Sequence, residues 1–230
     1  MDHAGRLCPG RGFHSSRIEF QLRCASLVSP LAVFLLVAIA AAAPAHSAIL
    51  IGARVGFHGV FQLGRPFPLE IELNNSGRPA EGVLEVQVWK GGATKGGAAY
   101  RASYRRDVFL GGQARKTVQL TVDPDFISRP LAIRFSSAEA MAEREIDLRR
   151  HFSPAPVLLL MSGNSVFPPI TFTATAQSRL VSISPLELAA DSRALLGVSH
   201  LILYDQSLRD LSRAQLLALH NWLHAGGRMV

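Results

Sequence analysis

The chain contains 230 residues, carries a formal net charge of +7 and has only two cysteines. Its basic residues are scattered rather than clustered among aromatic residues, which argues against a nucleic-acid-binding protein. Both cysteines, Cys8 and Cys24, lie in an N-terminal segment that we expect to be removed. The mature chain would then lack cysteine, which excludes disulfides, thiolate catalysis and cysteine-ligated metals.

Residues 1–48 have the composition of a signal peptide. Basic residues precede an uncharged stretch whose most apolar part, Leu31 to Ala43, has the length of a signal-peptide core. Small residues follow, and we expect cleavage somewhere from Ala45 to Ala48. An uncleaved signal anchor is the alternative, because Leu27 to Ala45 approaches the roughly 20 residues that span a membrane. Either way the sequence predicts an exported protein, periplasmic or membrane-anchored and facing the periplasm or the outside.

Residues 49–152 follow a period of two. In the segment Leu69 to Leu73, for example, apolar residues alternate with Glu70 and Glu72. Such alternation is typical of half-buried antiparallel strands. Turn-rich clusters, among them Asn74 to Pro79 and Gly91 to Gly97, separate the strands. About seven short strands predict an all-β sandwich of immunoglobulin-like build, without the disulfide of antibody domains.

Residues 153–230 show a different pattern, in which strands alternate with helices. Continuous apolar runs predict strands buried on both faces. Two helical pieces are expected at Phe167 to Gln177 and Leu186 to Leu196, and a third helix begins at Ser212 with a capping box to Gln215. This third helix ends at Gly226-Gly227, and its apolar face contains Leu216, Leu219 and Leu223, with Trp222 beside them. The pattern predicts an α/β domain with a doubly wound parallel sheet, incomplete because its last strand opens at the end of the chain. The predicted strands are Val157 to Met161, Leu180 to Ile183, Ser199 to Asp205 and Arg228 to Val230.

Two strand ends of this sheet are candidate ligand sites, because ligands of open parallel sheets bind beyond the carboxyl ends of the strands. Ser162, Gly163 and Asn164 follow the first strand, where small residues and free amides suit an anion. Asp205 ends the third and could hold a metal, a hydroxyl or a partner cation. The alternative for both is an ordinary turn or cap.

The sequence predicts no metal site, no cofactor and no catalytic centre. His220 and His224 have metal-ligand spacing on one helix, but Asn221, Trp222 and Leu223 stand between them in place of the H-E-x-x-H pattern. We therefore interpret the pair as cations favoured by the helix dipole. No Gly-x-Ser-x-Gly elbow or phosphate-binding glycine motif is present.

The α/β segment resembles the class I glutamine amidotransferase-like fold, in the diverged form found in large exported or membrane-anchored bacterial proteins. The resemblance rests on Val198 to Asp205, Leu211 to Gln215 and Leu219 to Val230. The front segment is similar to the β-sandwich that precedes this fold in such proteins, through Arg54 to Gly59, Pro68-Leu69, Leu73 to Gly77 and Gly82. Active members use a cysteine nucleophile, so the resemblance implies a non-catalytic relative here. It also implies a missing C-terminal part that carries a transmembrane helix.

These observations favour a non-catalytic cell-envelope protein, in which the sandwich is a spacer that presents an amidotransferase-like domain to a ligand or partner. Other envelope proteins or anionic envelope polymers are the expected partners. One alternative is an exported hydrolase whose catalytic residues lie partly beyond Val230, with Ser162 or Asp205 contributing. A third hypothesis is adhesion through the sandwich loops.

Overall fold

The computed structural model describes residues 49–92, 97–162 and 178–230. They belong to one compact unit, residues 45–230. The predicted signal segment 1–48, the predicted helix Phe167 to Gln177, Gly163 and Asn164 lie outside the described residues. No helix in the described ranges is both long and apolar enough to cross a membrane.

Two antiparallel sheets form the first part of the chain. The three-stranded sheet has the order β1-β2-β5 and the four-stranded sheet the order β4-β3-β6-β7. The strands are β1 (Ile49–Val55), β2 (Phe67–Asn75), β3 (Ala80–Lys90), β4 (Tyr100–Leu110), β5 (Ala114–Val122), β6 (Leu131–Ser137) and β7 (Met141–Ile146). The predicted β-rich character of the chain is thereby confirmed.

The apolar members of the alternating pattern form one core between these sheets. Leu69, Ile71 and Leu73 of β2 are fully buried against Leu84 and Ile133 of the other sheet. Successive side chains of a strand point to opposite faces, so the intervening glutamates lie on the outer face. This core is the main stabilising feature of the first part.

Cationic side chains cover the edges of the antiparallel sheets. Arg144 of β7 donates to the carbonyl of Ile51 on β1 at 2.7 Å, and Lys116 of β5 donates to that of Phe109 on β4 at 3.0 Å. Unpaired edge carbonyls are sites where another chain can add a strand. These contacts protect the edges from such pairing.

A parallel sheet follows, with the order β9-β8-β10-β11. Its strands are β8 (Val157–Ser162), β9 (Arg179–Ile183), β10 (Val198–Tyr204) and β11 (Arg228–Met229), and helix α1 (Arg213–His224) joins the last two. A second core contains Leu159 and Leu201 of the sheet and Leu219 and Trp222 of α1. A Cβ on Gly227 would lie 2.3 Å from the Trp222 ring. Only glycine therefore fits at this position, just after the end of α1.

The structure corrects one sequence prediction between β9 and β10. In place of a helix from Leu186 to Leu196, the chain forms two 3₁₀ turns, Pro185–Glu187 and Ser192–Leu195. Leu188 has an extended conformation after the first turn, and Asp191 caps the second through its carboxylate. Local side-chain hydrogen bonds to the backbone compete with a continuous helix, and here they prevail.

Candidate functional site

Two of the four predicted site residues, Ser162 and Asp205, lie at the carboxyl edge of the parallel sheet. Ser162 ends β8 and pairs in register with Tyr204, the last residue of β10. Asp205 follows at a φ of +46°, a left-handed conformation that aspartate tolerates better than most residues. Ser162 and Asp205 both interact with other groups of the protein. Their role in ligand binding remains a prediction.

Sequence reasoning missed a charged cluster that joins the two parts of the chain, which we call the Glu187 cluster. Glu187, in the first 3₁₀ turn, accepts hydrogen bonds from Arg54 of β1 at 2.7 Å and from His58 at 2.8 Å. Its second carboxylate oxygen accepts from the backbone N–H and the hydroxyl of Ser184, both at 2.9 Å. Arg54 also pairs with Glu70 at 3.3 Å. The cluster therefore connects β1 and β2 to the segment after β9.

The pKa of Glu187 reflects this environment. Partial burial raises the pKa, but the hydrogen bonds from Ser184 and His58 and the charge of His58 outweigh burial and lower it to about 2. The carboxylate is therefore ionised at neutral pH, as an ion-pair partner must be. Glu187 is 133 positions from Arg54 and 129 from His58, so no local sequence pattern reveals the cluster.

A tight loop after β1 positions His58. Gly56 has a φ of +61°, and a Cβ there would lie 2.1 Å from the carbonyl oxygen of Val60. The loop inserts Phe57 into the second core, where it is 4% exposed. It also directs His58 toward Glu187. The first part thus contributes an apolar and a polar contact to the second.

A basic pocket lies at the opposite, amino-terminal edge of the parallel sheet. It has a volume of about 330 Å³, and its lining includes Arg65, His200, Trp222 and Arg228. His200 and Arg228 are register partners on β10 and β11, so their side chains leave the same face of the sheet. Within the described ranges, the buried Nδ1 of His200 has no hydrogen-bond partner.

The basic pocket has the chemistry of an anion site. Two guanidinium groups supply positive charge and several donors, and arginine suits carboxylate and phosphate groups. The imidazole of His200 also lines the pocket and can donate a further hydrogen bond to an anion. The sequence did not reveal this pocket, because Arg65 precedes β2 and reaches it only through the fold.

His220 and His224 lie side by side in the last two turns of α1. Their ring centroids are 4.4 Å apart and their Nε2 atoms are 3.2 Å apart. In the described ranges, no group of three or more histidine, cysteine, aspartate or glutamate side chains could hold a metal ion.

Comparisons with known proteins add little about this chain. A family model described as "Domain of unknown function (DUF8726)" matches residues 48–149, less than half of the chain. No curated protein matches.

The solved structures that match do so weakly. A β-glucosidase from Erythrobacter marinus is 13% identical with a TM-score of 0.30, over 44% of this chain and 15% of its own. A β-glucosidase from Listeria innocua is 14% identical with a TM-score of 0.31, over 44% and 16%. The CARDB domain of a Pyrococcus furiosus protein, in complex with two metal ions, is 11% identical with a TM-score of 0.29, over 44% and 88%. The chain thus spans about a sixth of the β-glucosidases, and likeness at this level supports no functional conclusion.

Proposed function

We propose that the protein is a non-catalytic component of the cell envelope that binds an anionic group, carried by an envelope polymer, in the basic pocket. The observation that carries the proposal is the convergence of Arg65, Arg228 and His200 on one cavity. Cationic donors around a concave site favour an anionic ligand.

The remaining parts of the proposal concern the cellular location of the protein and the folds of its two parts. Export rests on the basic and apolar composition of residues 1–48. Two sheets around one core support an immunoglobulin-like sandwich. The parallel strands have the spatial order second, first, third, fourth, which matches the start of the flavodoxin-like order and supports an amidotransferase-like fold.

In this proposal the sandwich is a rigid mount, which means that it packs against the parallel-sheet part and is not a flexible spacer. The Glu187 cluster and the buried Phe57 fix it to the parallel-sheet part. Thr121 of β5 adds a hydrogen bond to Asp191. A ligand bound at the parallel sheet is therefore held at a set position relative to the sandwich.

Fluorescence titration tests anion binding, because Trp222 lines the pocket. Trp89→Phe leaves Trp222 as the sole tryptophan of the chain, and the probes are a glycerol phosphate polymer and polygalacturonate. Loss of a charge-assisted hydrogen bond predicts roughly tenfold weaker binding for Arg65→Gln and for Arg228→Gln. Arg105→Gln, at an exposed arginine outside the pocket, is the matched control and should bind like the parent.

Three outcomes would contradict the proposal. If all three arginine substitutions weaken binding equally, the attraction is diffuse and the pocket is not the site. If neither polymer binds, the proposed ligand class is wrong. If a probe is cleaved during the titration, the protein is a hydrolase. Cell fractionation with mass spectrometry of the mature N-terminus tests export, with processing expected from Ala45 to Ala48.

A further inference from the structure

The histidine pair of α1 has a geometry that its sequence spacing alone does not guarantee. Residues four apart lie on one face of a helix, but long side chains there can still point apart. Here the two imidazole rings converge until their Nε2 atoms are 3.2 Å apart, with the ring planes at 57°. Both residues are exposed to solvent.

A simple hydrogen bond between the rings is the alternative explanation of this contact. The separation of 3.2 Å stands at the long end of the range for hydrogen bonds from nitrogen. An exposed pair of this kind would exchange with water and stabilise little. This explanation predicts that the pair has no affinity for metal ions beyond that of single histidines.

The same separation suits two ligands of one metal ion. Zinc binds imidazole nitrogen at 2.0 to 2.1 Å in a tetrahedral arrangement, which places two ligating nitrogens about 3.3 Å apart. The observed separation differs from that value by about 0.1 Å, so an ion could bridge the rings after small rotations.

The position of the histidine pair at the carboxyl end of α1 is a second reason to expect a bound metal ion. The carboxyl end of a helix carries a partial negative charge, which favours a cation within the last turn. His224 is the last residue of α1, so a metal ion bound to the pair stands at this end. The dipole that would stabilise protonated histidines would equally stabilise a dication bound to neutral ones.

We propose that His220 and His224 form a two-histidine site for a divalent transition ion of the Ni²⁺, Cu²⁺ and Zn²⁺ group, with water in the remaining positions. Imidazole is a preferred ligand of these ions, whereas Mg²⁺ and Ca²⁺ prefer oxygen. The site is distinct from the basic pocket and does not depend on the proposed function.

Calorimetric titration of the full chain, produced without a histidine tag, tests the proposal with Zn²⁺ and Ni²⁺. We expect one ion per chain and no measurable heat with Mg²⁺. His220→Gln or His224→Gln should weaken Zn²⁺ binding roughly tenfold or more, because each removes half of the protein ligands. Circular dichroism of each variant verifies that α1 remains helical.

A geometric control keeps the number of histidines and separates them. His220→Gln combined with Leu216→His places two histidines eight residues apart on the same helix face, about 12 Å along the axis, where they cannot share an ion. Leu216 is 39% exposed, so the change is tolerated at the surface. Equal Zn²⁺ affinity in the parent and this control, or no saturable binding by the parent, would overturn the proposal.

Discussion

At the scale of the residue, Glu187 joins the two parts of the chain through its contacts with Arg54 and His58. Glu187→Gln removes the charge that pairs with Arg54 and His58, and we expect a loss of about 2 kcal/mol in the free energy of unfolding at pH 7. A folded pKa near 2, below the ordinary value of 4.5, gives stability that is present above pH 4.5 and lost as the pH falls toward 2. Urea denaturation should therefore show a smaller difference between variant and parent at pH 3 than at pH 7.

The matched control for this prediction is Glu143→Gln. Glu143 pairs with Arg134 at 3.3 Å on the outer sheet face, where both side chains are 43% exposed. Exposed ion pairs contribute about 0 to 1 kcal/mol, so this variant should stay close to the parent at both pH values. Equal losses in the two variants would mean that Glu187 acts as an ordinary surface charge.

At the scale of the element, the capping box of α1 has a second function. Gln215 accepts from the backbone N–H of Ser212, and its side-chain amide donates to the carbonyls of Pro185 and Leu188 at 2.7 and 2.9 Å. Glutamate also suits a capping box, but a buried carboxylate cannot donate to these carbonyls. We expect Gln215→Glu to cost more in thermal and urea stability than Ser212→Ala, which removes a cap worth about 1 kcal/mol.

The pH dependence separates capping from this second function. A protonated carboxyl group can donate one hydrogen bond, so the deficit of Gln215→Glu should shrink at low pH, while that of Ser212→Ala should not change. If Gln215→Glu is as stable as the parent at pH 7, the contacts to Pro185 and Leu188 contribute nothing.

This helix also shows what the sequence could predict. The start of α1 at Ser212 and its exit at Gly226-Gly227 depend on neighbours in the chain, and both predictions are confirmed. The buried face was only partly predicted: Leu219 and Trp222 are buried, but Leu216 is exposed. The helix predicted at Leu186 to Leu196 was wrong, because caps and contacts to the sandwich divide that segment into two turns. Local signals specify where α1 begins and ends, whereas contacts with the rest of the fold decide which of its residues are buried.

At the scale of the whole molecule, the sequence predicts two parts, residues 49–152 and 153–230, but it does not predict the contacts between them. Alternation reveals which side chains face a core, but it cannot show that Phe57 belongs to the core of the other part. The Glu187 cluster and the basic pocket have the same origin, since both combine residues from the two parts. The ligand geometry predicted at Gly163 and Asn164 lies outside the described residues.

Trp222 on α1 allows this coupling to be measured, because Trp89→Phe leaves it as the sole tryptophan of the chain. We expect the Trp222 fluorescence and the far-UV circular dichroism of this variant to report coincident urea transitions, since parts joined by buried contacts unfold together. Phe57→Ala should destabilise by about 3 kcal/mol or more and separate the two transitions, because it removes a side chain that is 4% exposed. Phe109→Ala is the control: Phe109 is 59% exposed on β4, so the transitions should remain coincident. Separate transitions before any change at Phe57 would show that the sandwich is a flexible spacer, and the rigid-mount part of the proposed function would then fail.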